Sequence, residues 1–127
     1  MDERRPLVLV IEDDRAARKL YAETLQQAGL AVAEAHNGLQ AIEKASTLLP
    51  DAIVTDLGLP GIDGYELCRR LQQDQTTKRI PIVAITGRYF SPADVARARR
   101  EGCNSVLIKP FVGDDLISEV RRALNPV

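Results

Sequence analysis

Five short runs, apolar almost from end to end, recur along this chain and are separated by amphipathic stretches. They are Leu7-Val8-Leu9-Val10-Ile11, Leu30 to Ala35, Ala52-Ile53-Val54, Ile80 to Ile85 and Val106-Leu107-Ile108. A strand with one wet face alternates apolar and polar residues. Runs without that alternation mark strands covered on both faces of a parallel sheet. Between them, Ala17, Leu20, Tyr21, Thr24, Leu25 and Ala28 recur at helical spacing, and Gly29 supplies a stop. A second stripe is Ala41, Ile42, Ala45, Leu48 and Leu49, ended by Pro50. Leu67, Cys68 and Leu71 form a third, and Leu116, Ile117, Val120 and Leu124 the last. The fourth helix, from Pro92 to Glu101, has only Val95, Ala96 and Ala98 for apolar contact, amid Arg97, Arg99 and Arg100. It is the element expected to be held most loosely.

Five β-α units in 127 residues are too few to close an eight-stranded barrel. The reading is an α/β fold: an open, doubly wound, five-stranded parallel sheet with five helices, forming one domain over 1–127 with its core at about 6–124. Composition narrows the function. Net charge is −1, so no global field draws the chain to nucleic acid or anionic lipid. Aromatic residues make up 4% and Trp is absent, which excludes a base-stacking platform. Cys68 and Cys103 are too few for a disulfide framework and too far apart in sequence for a metal knuckle. They fit a reduced, cytoplasmic setting. The run Leu7–Ile11 is too short for a signal peptide or a membrane span, so no membrane partner is expected.

Parallel sheets bind ligands at the carboxyl ends of their strands. Four of the five runs end in chemically loaded residues: Glu12, Asp13 and Asp14 after the first, Asp56 after the third, Thr86 after the fourth, and Lys109-Pro110 after the fifth. Clustered carboxylates repel one another and raise one another's pKa values unless a cation intervenes. Mg²⁺ meets that need, taking one or two carboxylates plus waters and phosphate oxygens. An Asp nucleophile, a metal, an ammonium and a hydroxyl are the parts required for phosphoryl transfer to a carboxylate.

Four segments together resemble the receiver domain of two-component response regulators, over nearly the whole chain from Leu7 to Leu124. They are Val10-Ile11-Glu12-Asp13-Asp14, Asp56-Leu57-Gly58-Leu59-Pro60-Gly61-Ile62-Asp63-Gly64, Thr86-Gly87 and Lys109-Pro110-Phe111. The resemblance implies a flavodoxin-like sheet of order 2-1-3-4-5. It implies Asp56 as phosphoacceptor, Asp13 as direct Mg²⁺ ligand with Glu12 acting through water, and the Gly58 carbonyl as a further ligand. Asp56 itself also belongs to the metal set. Thr86 would hydrogen-bond the phosphoryl group, Lys109 would pair with its charge, and the Lys109-Pro110 bond would be cis. The donor would be a histidine kinase or a histidine phosphotransfer protein, and a downstream effector or output domain would read the switch. The domain would contact no nucleic acid directly. It would be no enzyme beyond its own phosphorylation and dephosphorylation.

The chain departs from the family pattern at three positions. Glu12 replaces the commoner Asp. Gly58 lacks the usual side chain, which opens the space above the phosphoryl group. Val106 stands where an aromatic usually swings, so signal is expected to leave instead through the loop Gly87 to Pro92, with Tyr89 and Phe90. Plainer roles compete elsewhere. Asp14 caps the following helix, Asp63-Gly64 starts another, His36 lies on the surface, and both cysteines pack in the core. The arginines of the fourth helix form a solvated face or a docking patch for an acidic partner. The rival functions are an enzyme of the same topology and a pseudo-receiver interaction module that takes no phosphate. The acidic first loop opposes a flavin phosphate, Gly58 replaces the second Asp of Asp-based phosphatases, and the complete set Asp13, Asp56, Thr86 and Lys109 opposes the pseudo-receiver.

Overall fold

Strands β1 (Leu7–Ile11), β2 (Ala31–Ala35), β3 (Ala52–Asp56), β4 (Ile82–Thr86) and β5 (Ser105–Ile108) form one parallel sheet in the order β2-β1-β3-β4-β5. The computed structural model describes residues 4–87 and 91–125. The helices are α1 (Arg15–Gln27), α2 (Gly38–Leu48), α3 (Gly64–Gln73), α4 (Pro92–Arg100) and α5 (Gly113–Leu124). The unbroken apolar runs do what their pattern predicts, feeding two cores at once. Leu9, Ile11, Ile53, Ile82 and Ala84 face α2, α3 and α4 through Ala41, Ala45, Leu67, Cys68, Leu71 and Ala98. Val8, Val10, Val54, Val83 and Ile85 face α1 and α5 through Tyr21, Leu25, Leu116 and Val120.

Local chemistry sets the helix starts. Asp14 Oδ2 accepts from the Ala17 N–H at 2.8 Å, and Asp63 Oδ1 accepts from the Glu66 N–H at 2.8 Å. Both side chains satisfy amides that a helix leaves orphaned. Ser91 and Asp94 exchange hydrogen bonds in a capping box at the start of α4.

Two of the expected stripes need correction. Leu20 is 61% exposed, and α1 buries Ala22 in its place beside Tyr21 and Leu25. Leu48 and Leu49 are also exposed, leaving Ala41 and Ala45 as the buried face of α2. Helix α2 stops before the predicted point because Leu49 takes a left-handed φ of 48°. The following Pro50 disfavours the helical region for its predecessor, which accounts for the break. Helix α4 buries only Ala98, Ala96 is exposed, and the helix ends at Arg100. His36 is exposed and both cysteines are buried.

Candidate functional site

The sheet order reverses at β1, whose neighbours lead outward to β2 on one side and to β3 on the other. Such a switch point opens a crevice at the strand ends. Glu12 extends β1 by one residue, its N–H donating to the Ala35 carbonyl at 3.1 Å. Its carboxyl is almost wholly buried. Glu12 Oε2 accepts from the Asp14 N–H at 3.2 Å, and Oε1 lies 3.6 Å from Lys109 Nζ. Asp13, next in sequence, is exposed.

Asp56 closes β3, where it pairs in register with Ile85 of β4. Both of its oxygens are engaged. The Gly58 N–H donates to Oδ1 at 2.6 Å, and Lys109 Nζ donates to Oδ2 at 2.9 Å. Lys109 is brought there by the end of β5, its N–H donating to the Thr86 carbonyl at 2.8 Å. The Lys109-Pro110 bond is cis, as the resemblance implies. Thr86 ends β4 half-buried, paired in register with Ile108. The four predicted strand ends therefore meet on one edge.

Electrostatics follow from that crowding. Burial pushes the Glu12 carboxyl up to about 7, helped by a hydrogen bond with Asp13 and the charge of Asp56. Desolvation works against the Lys109 ammonium, but its contact with Asp56 outweighs this and holds it above the ordinary lysine value. One ammonium thus faces more carboxylates than it neutralises. The donors are all oxygens, the set a hard divalent cation prefers, so the residues present fit Mg²⁺. Among the described residues, no three acidic, histidine or cysteine side chains converge into a complete cage. Mg²⁺ needs none, because it keeps several waters and shares phosphate oxygens.

Two glycines shape the loop after Asp56. A Cβ on Gly58 would stand 3.2 Å from Asp56 Oδ1, so among the described residues the space above that carboxylate is open because no side chain is there. A Cβ on Gly64 would meet the Leu57 Cα at 2.4 Å and the Asp56 carbonyl oxygen at 2.7 Å. Helix α3 therefore starts hard against the backbone that carries Asp56.

The model of the response regulator receiver domain matches residues 8–121. The chain belongs to that family. The DNA-binding dual master transcriptional regulator RpaA of Synechocystis is 34% identical over 120 residues, 94% of this chain and 49% of the relative. The chain spans about half the length of the curated relatives it matches. The receiver domain of a signal transduction histidine kinase from Syntrophus aciditrophicus superposes with a TM-score of 0.87 at 30% identity, covering 96% of this chain and 92% of that one. The receiver domain of the sensor histidine kinase PA1611 from Pseudomonas aeruginosa gives 0.86 at 28% identity, with 95% and 98% covered. Its structure has a magnesium ion coordinated in the active-site cleft.

Within this receiver domain, some supports were not visible in sequence. Arg18 on α1 donates from Nη1 to the Glu12 carbonyl at 2.8 Å and from Nε to Glu34 Oε1 at 3.1 Å. Glu34 lies on the one strand whose end carries no chemistry of its own, and it also pairs with Lys19 at 3.1 Å. The only hint was an arginine six residues after Glu12. Arg97, expected on a solvated face or docking patch, lies 4.0 Å from the centroid of the Tyr65 ring on α3. Tyr89 and Phe90, expected to carry the signal, lie outside the described residues. Val106 is half-buried against the core shared with α2, α3 and α4. Among the described residues no helix is long and apolar enough to cross a membrane.

Proposed function

We propose that Asp56 accepts the phosphoryl group and that the chain forms a single receiver domain over 1–127. The observation that carries the reading is the clamp on Asp56, with the Gly58 amide on one oxygen and the Lys109 ammonium on the other. A carboxylate oxygen of Asp56 attacks the phosphorus of a phosphohistidine. The P–N bond breaks, the imidazole leaves with the electron pair, and an acyl phosphate forms. Lys109 is placed to pair with the oxygens as their charge builds. Thr86, across the β4–β5 register, supplies a hydroxyl to the same group. Asp13, Asp56 and the Gly58 carbonyl would hold Mg²⁺, with Glu12 acting through water. When bound, the ion neutralises charge on the phosphoryl oxygens.

The chemistry stops at the domain's own modification, so this is a switch and not a turnover enzyme. Its donor is a histidine kinase or a histidine phosphotransfer protein in the cytoplasm. Its reader is an effector or output domain, and any nucleic acid is contacted through that partner. Acetyl phosphate with Mg²⁺ should label the chain, and peptide mass analysis should locate the label at Asp56. A label found on Asp13 or Glu12 would overturn the assignment.

Two further results are expected. Asp13 is exposed and offers its oxygens to an incoming ion, whereas Glu12 is buried with one oxygen already on the Asp14 amide. Mg²⁺ titration should therefore rank Asp13→Asn as the greater loss and Glu12→Gln as the smaller. The reverse order means the direct and water-mediated ligands are exchanged. Gly58→Met should place a side chain beside the acyl phosphate and slow its hydrolysis while labelling continues. An unchanged or faster hydrolysis rate removes the shielding role assigned to this position.

A further inference from the structure

Cys68 and Cys103 are 35 residues apart, yet their sulfurs lie 3.1 Å from each other in the core. Cys68 sits on the buried face of α3 with no exposure. Cys103 is brought to it by the way α4 ends. Gly102 takes a φ of +101°, open to glycine at little cost, and the Cys103 N–H turns back to the Ala98 carbonyl at 3.0 Å. Gln72 of α3 lies across Gly102, where a Cβ would meet its Cγ at 2.3 Å. The two thiols therefore face each other across the seam between α3 and the α4–β5 connection. A disulfide needs the sulfurs at about 2.05 Å, roughly 1 Å closer than they stand.

We propose that Cys68 and Cys103 are a reversible dithiol–disulfide site, oxidised by hydroperoxides, that staples α3 to the end of α4. This proposal is independent of the phosphoacceptor assignment. The Cys103 thiolate attacks the peroxide O–O bond, forming a sulfenic acid and releasing water or an alcohol. Cys68 then displaces the hydroxyl from that sulfur, forming the S–S bond and releasing water. Two thiols are oxidised and one peroxide is reduced. Cys103 acts first because it is 4% exposed and Cys68 is fully covered.

Contact with Cys103 and burial hold the Cys68 thiol well above its ordinary value, so the closed seam reacts slowly. Reaction runs through local opening, and the seam is lightly closed. Helix α4 buries only Ala98. Among the polar contacts around it are a 4.0 Å ion pair from half-exposed Arg69 to Glu101 and the stacking of Arg97 on Tyr65. An exposed ion pair contributes little, and a cation–π contact at an exposed site only modestly more. In a reducing cytoplasm such a disulfide is transient, as a redox-sensing pair requires.

The test uses the reduced full chain under native conditions with hydrogen peroxide, followed by denaturation, alkylation and intact-mass measurement. The expected product is a monomer lighter by about 2 Da, with no alkylatable thiol, restored by dithiothreitol. A monomer that keeps both thiols, gains only oxygen, or joins a second copy by disulfide overturns the proposal. Amide exchange through α4 should slow in the oxidised form, and unchanged exchange there would overturn the staple. In Cys68→Ala, dimedone should trap a sulfenic acid on Cys103, whereas Cys103→Ala should leave Cys68 unlabelled. Labelling of Cys68 instead would overturn the order of attack.

Discussion

Asp56→Asn is expected to abolish labelling by acetyl phosphate with Mg²⁺ while leaving the domain folded. The amide keeps the shape and can still accept the Gly58 N–H on its oxygen. It removes the nucleophile, because an amide oxygen carries no charge to deliver to phosphorus. It also sets an NH₂ group where Lys109 now donates at 2.9 Å, so two donors face each other and that contact is lost. The thermal cost should nevertheless be small. Lys109 is 38% exposed, and an ion pair with that much solvent contributes about 1 kcal/mol or less. Removing the Asp56 charge also relieves Glu12, which it helps to push up. Loss of label without loss of melting temperature separates a chemical role from a structural one. If the Asn variant takes label as well as the parent chain, Asp56 is not the acceptor.

The strands and the strand-end chemistry were legible because each is written locally. An unbroken apolar run needs cover on both faces, and Val8 to Ile11, Ile53, Val54 and Ile82 to Ile85 received it from helices on both sides. The caps at Asp14 and Asp63 were equally local, an acceptor placed three residues before a free amide. Helical spacing says which residues share a stripe, and not how wide a stripe the neighbours cover. That is why Leu20, Leu48 and Leu49 fit their periodicity and still face water. Beyond the strand-end cluster that a parallel sheet gathers on one edge, side-chain contacts between distant elements were not legible. Arg18 reaching the Glu12 carbonyl, Arg97 lying over Tyr65, and the two cysteine sulfurs in contact all follow from the order of strands and helices.

The glycines make the same distinction, and the largest stability effect follows from it. Gly64 reads in sequence as a turn and helix start, and Gly87 as the small residue that frees the loop after Thr86. In the fold, a Cβ on Gly64 would stand 2.4 Å from the Leu57 Cα and 2.7 Å from the Asp56 carbonyl oxygen, whereas one on Gly87 would meet nothing within 4 Å among the described residues. Neither position has a left-handed φ, so the difference is one of space and not of backbone preference. The atoms that Gly64→Ala would strike are backbone, which cannot rotate aside as a side-chain end can. Helix α3 must then move off β3, breaking the 3.1 Å hydrogen bond from the Gly64 N–H to the Leu57 carbonyl. Overpacking of this kind costs about 2–3 kcal/mol. For a domain of this size that is roughly 10 °C in melting temperature. The displaced segment includes Leu57 and Gly58, so the amide that holds Asp56 Oδ1 shifts with it and phosphorylation should slow as well. Gly87→Ala should melt within about 2 °C of the parent chain, because surface substitutions without a steric partner stay near ±0.5 kcal/mol. Thermal melts of the two variants side by side, with labelling rates, decide the matter: a Gly64→Ala protein as stable as Gly87→Ala would mean that α3 does not press on the end of β3.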